Sequence, residues 1–182
     1  NVAFKLKGNF TSKWYKVGMS APFYNKLGSD GLVTSENLEL KISGLKAGKH
    51  TLLTFHNAFD VITGKTFSPI KIFVNGKLQQ TVNASQRANA KIDAAMAYIS
   101  FNAEKGKDVI VRFEIDPTSN PDVVKQIVIN GFEIDTPNLM YQARTPEPKT
   151  RDEHVEVGKT LTLKWDAVKN VAFHKLYFGE DK

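Results

Sequence analysis

Residues 70–82 read IKIFVNGKLQQTV, and this stretch decides the fold. In its first half apolar side chains recur at every second position, which is the pattern of a strand with one buried face. Asn75 and Gly76 both tolerate positive φ, so they favour a type I′ turn whose twist suits two flanking strands. The stretch therefore predicts a β-hairpin, and a hairpin is stable in water only when further strands or a second sheet accompany it.

The rest of the chain supplies such strands. Apolar patterns of strand length occur in six further stretches: 2–6, 38–42, 50–57, 99–101, 109–115 and 127–134. A glycine inside the last stretch, Gly131, predicts a bulge or a bend. Short strands separated by turns, with almost no helical periodicity, are typical of antiparallel sandwiches and barrels. The predicted fold class is therefore all-β, an antiparallel β-sandwich.

Three segments between these strands lack the strand pattern. Residues 8–35 and 58–68 predict long irregular loops, which are often functional in compact domains. Residues 84–97 are polar and rich in alanine, and they predict a turn or two of helix.

The composition is that of a basic globular protein without cysteine. Of the 182 residues 41% are hydrophobic, enough to fill a core, and the net charge is +6. The absence of cysteine excludes disulfides, thiolate metal sites and a cysteine nucleophile. No apolar run approaches the roughly 20 residues of a membrane span. The clustered basic residues or recognition helix of a nucleic-acid binder are missing as well. The basic excess suits either attraction to an acidic polymer or simple solubility.

The composition changes after residue 140. Residues 144–152 are charged and carry two prolines, which predicts a linker. Strand-like runs follow, but an immunoglobulin-like sandwich needs about 100 residues, and only 42 remain beyond Met140 (182 − 140). The predicted domains are a sandwich over 1–140, a linker over 141–154 and an incomplete second β-sandwich unit over 155–182.

Three stretches of the first domain resemble the malectin-like and galactose-binding-like β-sandwich modules. They are GLKAGKHTLLTFH at 44–56, IFVNG at 72–76 and IVINGFEI at 127–134. The family pattern is a turn into a central strand, a strand ending in Val-Asn-Gly, and a last strand ending near Glu-Ile. The tail, 161–179, is similar to the opening of a fibronectin type III-like domain. The resemblance implies a jelly-roll sandwich that binds sugar without cleaving it.

The resemblance also implies a setting. Modules of these two kinds in tandem resemble the accessory domains of exported bacterial polysaccharide-degrading enzymes, so a polysaccharide or oligosaccharide and further domains of the same parent chain are the expected partners. We interpret the start at Asn1, without a leader, as that of a processed piece. In the family the ligand lies on loops at one end of the sandwich or on a sheet face, and the loop at 56–60 carries over. Structural calcium is common there; Asp60 and Asp116 are its candidate ligands, although no dense acidic loop is present.

Sugar-binding side chains can be sought by type. Sugars present C–H faces that stack on aromatic rings, and hydroxyls that pair with amides, carboxylates and guanidinium groups. The predicted ligand-binding residues, from three loops, are Trp14, Tyr15, Tyr24, Asn57, Phe59, Asp60, Arg87 and Asn89. The alternative for Trp14 and Phe59 is that they cap the core. A binding module should expose at least two of the four aromatic residues beside amides in one groove, whereas a spacer would bury all four.

Signals for catalysis are few. His50 and His56 share a strand face but stand about 20 Å apart, too far to share a metal. No H-E-x-x-H, G-x-S-x-G or P-loop spacing occurs. Candidates for a glycosidase-like carboxylate pair are Asp60, Asp93, Glu104, Asp116 and Glu133. The favoured hypothesis is a non-catalytic carbohydrate-binding module that holds glycan near a catalytic domain. The alternatives are a spacer sandwich without ligand that packs against the catalytic domain, and a catalytic domain in its own right.

Overall fold

A computed structural model of the chain was analysed. It describes residues 1–16, 25–88, 93–116, 120–138, 141, 144–148, 158 and 160–168. The chain divides into two compact units, Asn1–Thr136 and Pro137–Lys182.

The described elements of the first unit are almost all strands. In chain order they are β1 (Ala3–Lys7), β2 (Thr11–Trp14), α1 (Asn25–Ser29), β3 (Asp30–Thr34), β4 (Leu38–Ser43), β5 (Gly48–Ala58), β6 (Thr66–Phe67), β7 (Ile70–Val74), β8 (Lys77–Val82), β9 (Ser85–Gln86), β10 (Ala95–Ala103), β11 (Val109–Ile115), β12 (Val123–Val124), β13 (Ile127–Ile129) and β14 (Gly131–Ile134).

Two layers of antiparallel strands build the first unit. One layer is a five-stranded sheet in the order β1–β4–β11–β7–β8. The other contains β10–β5–β14, with β5 in the centre, and a second set in the order β13–β3–β2. Two short parallel pairs, β5 with β9 and β6 with β12, join the loops at one end. The predicted antiparallel β-sandwich is confirmed.

One apolar core lies between the two layers. The five-stranded sheet contributes alternate residues of β4, β7 and β11, among them Ile72 and Val111, both 0% exposed. The opposite layer contributes Leu52, Phe101 and Ile129. Arg112, the neighbour of Val111 in β11, is exposed, as the two-residue period of a strand requires.

The hairpin at 70–82 is formed as predicted. Asn75 has φ 48° and Gly76 has φ 82°, so both turn residues occupy the positive-φ region of a type I′ turn. A register shift follows the turn, because Phe73 pairs with Leu78 whereas Ile72 pairs with Gln80. The shift reverses the sides to which β8 residues point. Leu78 is therefore exposed although Val82 is buried.

The bend predicted near Gly131 is also present. It separates β13, which pairs with β3, from β14, which pairs with β5. The buried side chain of Asn130 holds the bend: its amide nitrogen donates to the carbonyls of Gly28, Asp30 and Asn57, and its oxygen accepts from the Asn57 N–H. A β-carbon at position 131 would lie 2.6 Å from Leu27 Cδ1, so the side chain of Leu27 would have to shift to accommodate it.

Two loop predictions were wrong in part. Residues 8–35 contain β2, α1 and β3, and β2 was missed because its sequence, Thr-Ser-Lys-Trp, is polar and exposed throughout. An edge strand of that kind shows no hydrophobic alternation. A turn or two of helix was predicted within 84–97, but residues 85–86 form β9 and residues 95–97 begin β10, where Ala97 is buried in the core; residues 89–92 lie outside the described residues. Tertiary packing has outweighed the local preference of alanine for helix.

The second unit is described only in part. Strand β15 (Arg144–Glu147) pairs antiparallel with β16 (Lys164–Asp166). Residues 144–147 of the predicted linker are therefore part of a strand, which tolerates Pro146 because the ladder is irregular between Arg144 and Glu147. Most of 155–182 lies outside the described residues, and the fibronectin-like unit and the boundaries 1–140, 141–154 and 155–182 stay predictions.

Candidate functional site

Trp14 is the most exposed large hydrophobic side chain described in the structure, at 75% of its surface. It ends strand β2, where it pairs with Asp30 at the edge of the sheet. Alternation along β2 points Trp14 away from the side on which Lys13 lies. Trp14 therefore offers an exposed apolar surface at a sheet edge.

Lys13 faces the loop that follows β5. Its ammonium group forms an ion pair with the carboxylate of Asp60 at 3.0 Å. Both side chains are about half exposed, at 44% and 53%. Water and salt screen such a pair, so it contributes little to stability and can exchange for contacts with a ligand. Sequence reasoning missed Lys13, because nothing in the local pattern shows that residues 47 positions apart meet.

Tyr15 connects this pair to the third loop. Its ring packs edge-on against Phe59, with 6.3 Å between centroids, and the guanidinium carbon of Arg87 lies 5.3 Å from the centroid of the Tyr15 ring. Arg87 has φ 44°, and its Nε donates to the carbonyl of Phe59 at 2.6 Å. Arg87 is thus anchored by one N–H while the rest of its exposed guanidinium remains available to a ligand.

Asn57 and Phe59 lie beneath these residues rather than beside them. Asn57 is 0% exposed and Phe59 is 2% exposed, and Phe59 belongs to a small second core with Val33 and Val128. The side chain of Asn57 donates to the Tyr15 hydroxyl and to the Gly28 carbonyl. Its oxygen accepts from the Ser85 hydroxyl and the Ala88 N–H. These two predicted ligand residues therefore support the loops from inside.

The structure thus brings Tyr15, Asp60 and Arg87 together near Lys13, and Trp14 follows Lys13 in β2 with its ring on the other side of the strand. We call Lys13, Trp14, Tyr15, Asp60 and Arg87 the loop-end cluster. Trp14 is exposed, Tyr15 is half-buried and Phe59 is buried, so the described aromatic residues are neither all exposed nor all core. Tyr24 and Asn89 lie outside the described residues.

The candidate calcium ligands are already engaged with cations. Asp60 pairs with Lys13, and Asp116 pairs with Lys71 at 2.5 Å. Within the described ranges no group of three or more histidine, aspartate or glutamate side chains is placed to hold a metal ion. A calcium site in this chain stays a prediction.

The two described histidines have both ring nitrogens occupied. His56 is fully buried: Nδ1 lies 2.7 Å from the Val128 carbonyl and Nε2 lies 2.8 Å from the Thr54 hydroxyl. Burial lowers the pKa of His56 to about 4, although the hydrogen bond to Val128 acts in the opposite direction. His50 contacts the Lys46 carbonyl and the Asp135 carboxylate, in that order the main causes of its raised pKa. Neither ring presents a free base to a substrate.

The structure also bears on membrane insertion. In the described residues no helix is both long and apolar enough to cross a bilayer.

Comparison with known proteins gave matches at the level of structure. No protein-family model matches the chain, and neither does any curated protein. A family 35 carbohydrate-binding module from Clostridium thermocellum aligns at 16% identity over 75% of this chain and 98% of its own, with a TM-score of 0.42. A CBM35 from Paenibacillus barcinonensis aligns at 11% identity over 74% of this chain and 99% of its own, with a TM-score of 0.38. The GH31 alpha-xylosidase from Xanthomonas citri aligns at 16% identity over 70% of this chain and 13% of its own, with a TM-score of 0.30.

Proposed function

We propose that the sandwich at 1–136 is a non-catalytic carbohydrate-binding module and that the loop-end cluster is where it contacts glycan. The observation that carries the proposal is Trp14, exposed over 75% of its surface at the end of β2. The half-exposed Lys13–Asp60 pair and the anchored guanidinium of Arg87 lie on the other side of that strand end. The ring offers a surface on which the C–H face of a sugar can stack. The charged groups offer strong hydrogen bonds to its hydroxyls or carboxylates.

The support of the cluster favours binding over chemistry. The hydrogen bonds of Asn57 and the packing of Phe59 fix Tyr15 and Arg87 before any ligand arrives, which lowers the entropy lost on binding. Neither described histidine belongs to the cluster, and its one carboxylate, Asp60, is paired with Lys13. A preformed polar and aromatic surface suits a module that holds glycan.

The expected setting is an exported bacterial polysaccharide-active enzyme. Attached to a catalytic domain of the same parent chain, a module of this kind raises the effective concentration of polymer near the active site without new chemistry. This part of the proposal rests on the sequence resemblance. It includes export to the periplasm, the cell surface or the medium.

A spacer without ligand is the second candidate. The observation that favours it is the burial of Asn57 and Phe59, two residues of ligand-binding type that serve the interior instead. In that case Trp14 would be a contact for a neighbouring domain of the parent chain. The two functions differ in whether the isolated 182-residue chain binds sugar.

The test is affinity electrophoresis and calorimetry of the whole chain against pectin, xylan, mannan and β-glucan. We expect at least one polymer to bind, and Trp14→Ala to weaken that binding about fivefold or more, since aromatic stacking contributes about 1 kcal/mol or more. Leu78→Ala is the matched control, because Leu78 is an exposed apolar residue on β8, in the other layer. Absence of binding to every polymer, or equal binding by the Trp14 and Leu78 variants, would exclude the proposal and favour the spacer.

A further inference from the structure

Trp14 has a charged neighbour on its own side of the sheet edge. In the antiparallel pair of β2 with β3 it lies directly opposite Asp30. The adjacent pair, Tyr15 with Ser29, is hydrogen-bonded, because the Tyr15 N–H donates to the Ser29 carbonyl at 2.8 Å. Hydrogen-bonded and non-hydrogen-bonded pairs alternate along an antiparallel ladder, so Trp14 and Asp30 form a non-hydrogen-bonded pair. The side chains of such a pair share a face and lie close together, with about 5 Å between their β-carbons.

The carboxylate of Asp30 has no protein partner within the described residues. Asp30 is exposed, and it is the backbone carbonyl of Asp30, not the side chain, that accepts from the amide of Asn130. Lys13 lies on the other side of β2, where it pairs with Asp60, and Lys16, beyond the strand end, forms no ion pair with a described residue. Both carboxylate oxygens of Asp30 are therefore available to accept hydrogen bonds from a ligand.

The same face continues along the two strands. Ser12 lies opposite Leu32, and alternation places both on the side of Trp14 and Asp30. Ser12 is exposed and Leu32 is partly exposed. The face therefore carries an indole ring, a carboxylate, a hydroxyl and a further apolar side chain within about 7 Å of strand length.

These groups suit a sugar residue that carries no charge. When the C–H face of a sugar stacks on the indole ring, its hydroxyl groups lie at the margin of the ring, within reach of a carboxylate on the neighbouring strand. Hydrogen bonds to a charged acceptor are stronger than those to a neutral one. A uronate in the same place would bring its own carboxylate against that of Asp30, and this repulsion selects against it.

We propose that Asp30 sets the specificity of the Trp14 surface, which takes a neutral sugar residue and rejects a uronate. The inference rests on the proposed function and narrows the glycan to a neutral one. It runs against the net charge of +6, which by itself would favour acidic polymers. The carboxylate beside the stacking ring then decides the choice, and the overall charge of the chain does not.

The test measures the affinity of the whole 182-residue chain for hexasaccharides by calorimetry. The neutral probes are xylohexaose, mannohexaose, cellohexaose and methyl-esterified hexagalacturonate, and the acidic probe is free-acid hexagalacturonate. We expect one neutral probe to bind most tightly and the free acid to bind at least about tenfold more weakly. Asp30→Asn keeps the size of the side chain and removes its charge. It should weaken the best neutral probe about fivefold or more and reduce the preference for that probe over the free acid.

The matched control is Glu39→Gln on β4, which removes one negative charge from a partly exposed position in the other layer. It should change neither the neutral affinity nor the preference. If polymers bind but hexasaccharides do not, the same variants are compared on xylan, mannan, β-glucan and pectin of high and low methyl esterification.

Three results would overturn the inference: equal or tighter binding of the acidic probe, unchanged neutral affinity in Asp30→Asn, or an equal loss in Glu39→Gln. In those cases the proposed function stands if Trp14→Ala still weakens binding. If no oligosaccharide and no polymer binds, the proposed function fails and the inference with it.

Discussion

Asn57 illustrates how one residue type serves two purposes in a β-sandwich. Its amide could bind the hydroxyls of a sugar, but here all four of its hydrogen bonds are made to the protein, at 2.7–2.9 Å. Those bonds join β5 to Tyr15, to the end of α1 and to the segment after β9. The residue is therefore a fixed point on which three loops depend.

Replacement of Asn57 by aspartate keeps its shape and removes both donors. The new carboxylate would face the carbonyl of Gly28 without a donor between them, in a position that is 0% exposed. We expect Asn57→Asp to lower the free energy of unfolding by about 3 kcal/mol or more at neutral pH. Tyr15→Phe, which loses the hydroxyl that Asn57 and Ala88 contact, should cost about 1 kcal/mol. Urea denaturation of both variants measures these losses. If Asn57→Asp is as stable as the parent chain, the amide donors of Asn57 do not contribute to stability.

At this scale the sequence predicted residue types better than residue positions. Trp14 and Arg87 are exposed, and their role in ligand binding stays a prediction. Asn57 and Phe59 were assigned to the same surface because they follow a central strand, yet they point inward. The local pattern from His56 to Asp60 contains no alternation that would have shown the direction of each side chain, since β5 is buried on both faces.

Among the elements, the hairpin of β7 and β8 is the clearest link between sequence and structure. Asn75 combines a positive φ with a side-chain oxygen that accepts from the Ile110 N–H at 2.9 Å, while its own N–H donates to the Ile110 carbonyl. The turn residue therefore also ties the hairpin to β11, its neighbour in the sheet.

Asn75→Ala should destabilise the protein by about 1–2 kcal/mol, because alanine is strained at positive φ and the bond to Ile110 is lost. Asn75→Gly removes the same side chain without the strain, so we expect a smaller loss from it. Midpoints of urea unfolding for the two variants and the parent chain measure the difference. If glycine proves as damaging as alanine, backbone strain is not the cause.

The elements that sequence did not predict are those fixed by distant contacts. Strand β2 is polar and exists because it pairs with β3, and the parallel pair of β6 with β12 joins residues more than 50 positions apart. The bend at Asn130 was predicted from Gly131, but its anchor was not, since the side-chain bonds of Asn130 reach Gly28 and Asp30, about 100 positions away. Short polar strands and buried asparagines carry little local signal.

For the whole first unit, stability depends on a core shared by two layers, and among the described residues one ionisable side chain, His56, is buried there. His56 is 0% exposed, its ring lies 6.0 Å from that of Phe113, and its Nδ1–H donates to the Val128 carbonyl while Nε2 accepts from the Thr54 hydroxyl. Only the neutral ring satisfies both partners in this arrangement. A proton added to Nε2 would bring a charge into the core.

The sign of the resulting pH dependence follows from the pKa of His56, which burial lowers from 6.5 to about 4 in the folded chain. Between those values the unfolded chain binds the proton and the folded chain does not, so acid favours unfolding.

The His50–Asp135 pair gives a different dependence of stability on pH. The raised pKa of His50 adds stability below pH 6.5 that is lost as the pH rises through its folded value. The pKa of Asp135 is lowered overall: burial, its largest single influence, opposes the shift, and hydrogen bonds from His50 and the Thr51 N–H outweigh it. Its stabilisation fades only in stronger acid, below the ordinary aspartate range.

We therefore expect the free energy of unfolding to fall by about 3 kcal/mol between neutral pH and about pH 4 through His56 alone. His56→Gln should be less stable than the parent chain near pH 7, because it loses the fit to Val128 and Thr54, but its stability should fall less over the same pH range. His50→Gln is the matched control and should keep the acid-side slope, since it leaves the core histidine in place. Urea denaturation at several pH values measures all three slopes. If the free energy of unfolding falls equally with pH in the parent chain and in His56→Gln, protonation of the buried histidine costs no stability. The prediction is then wrong.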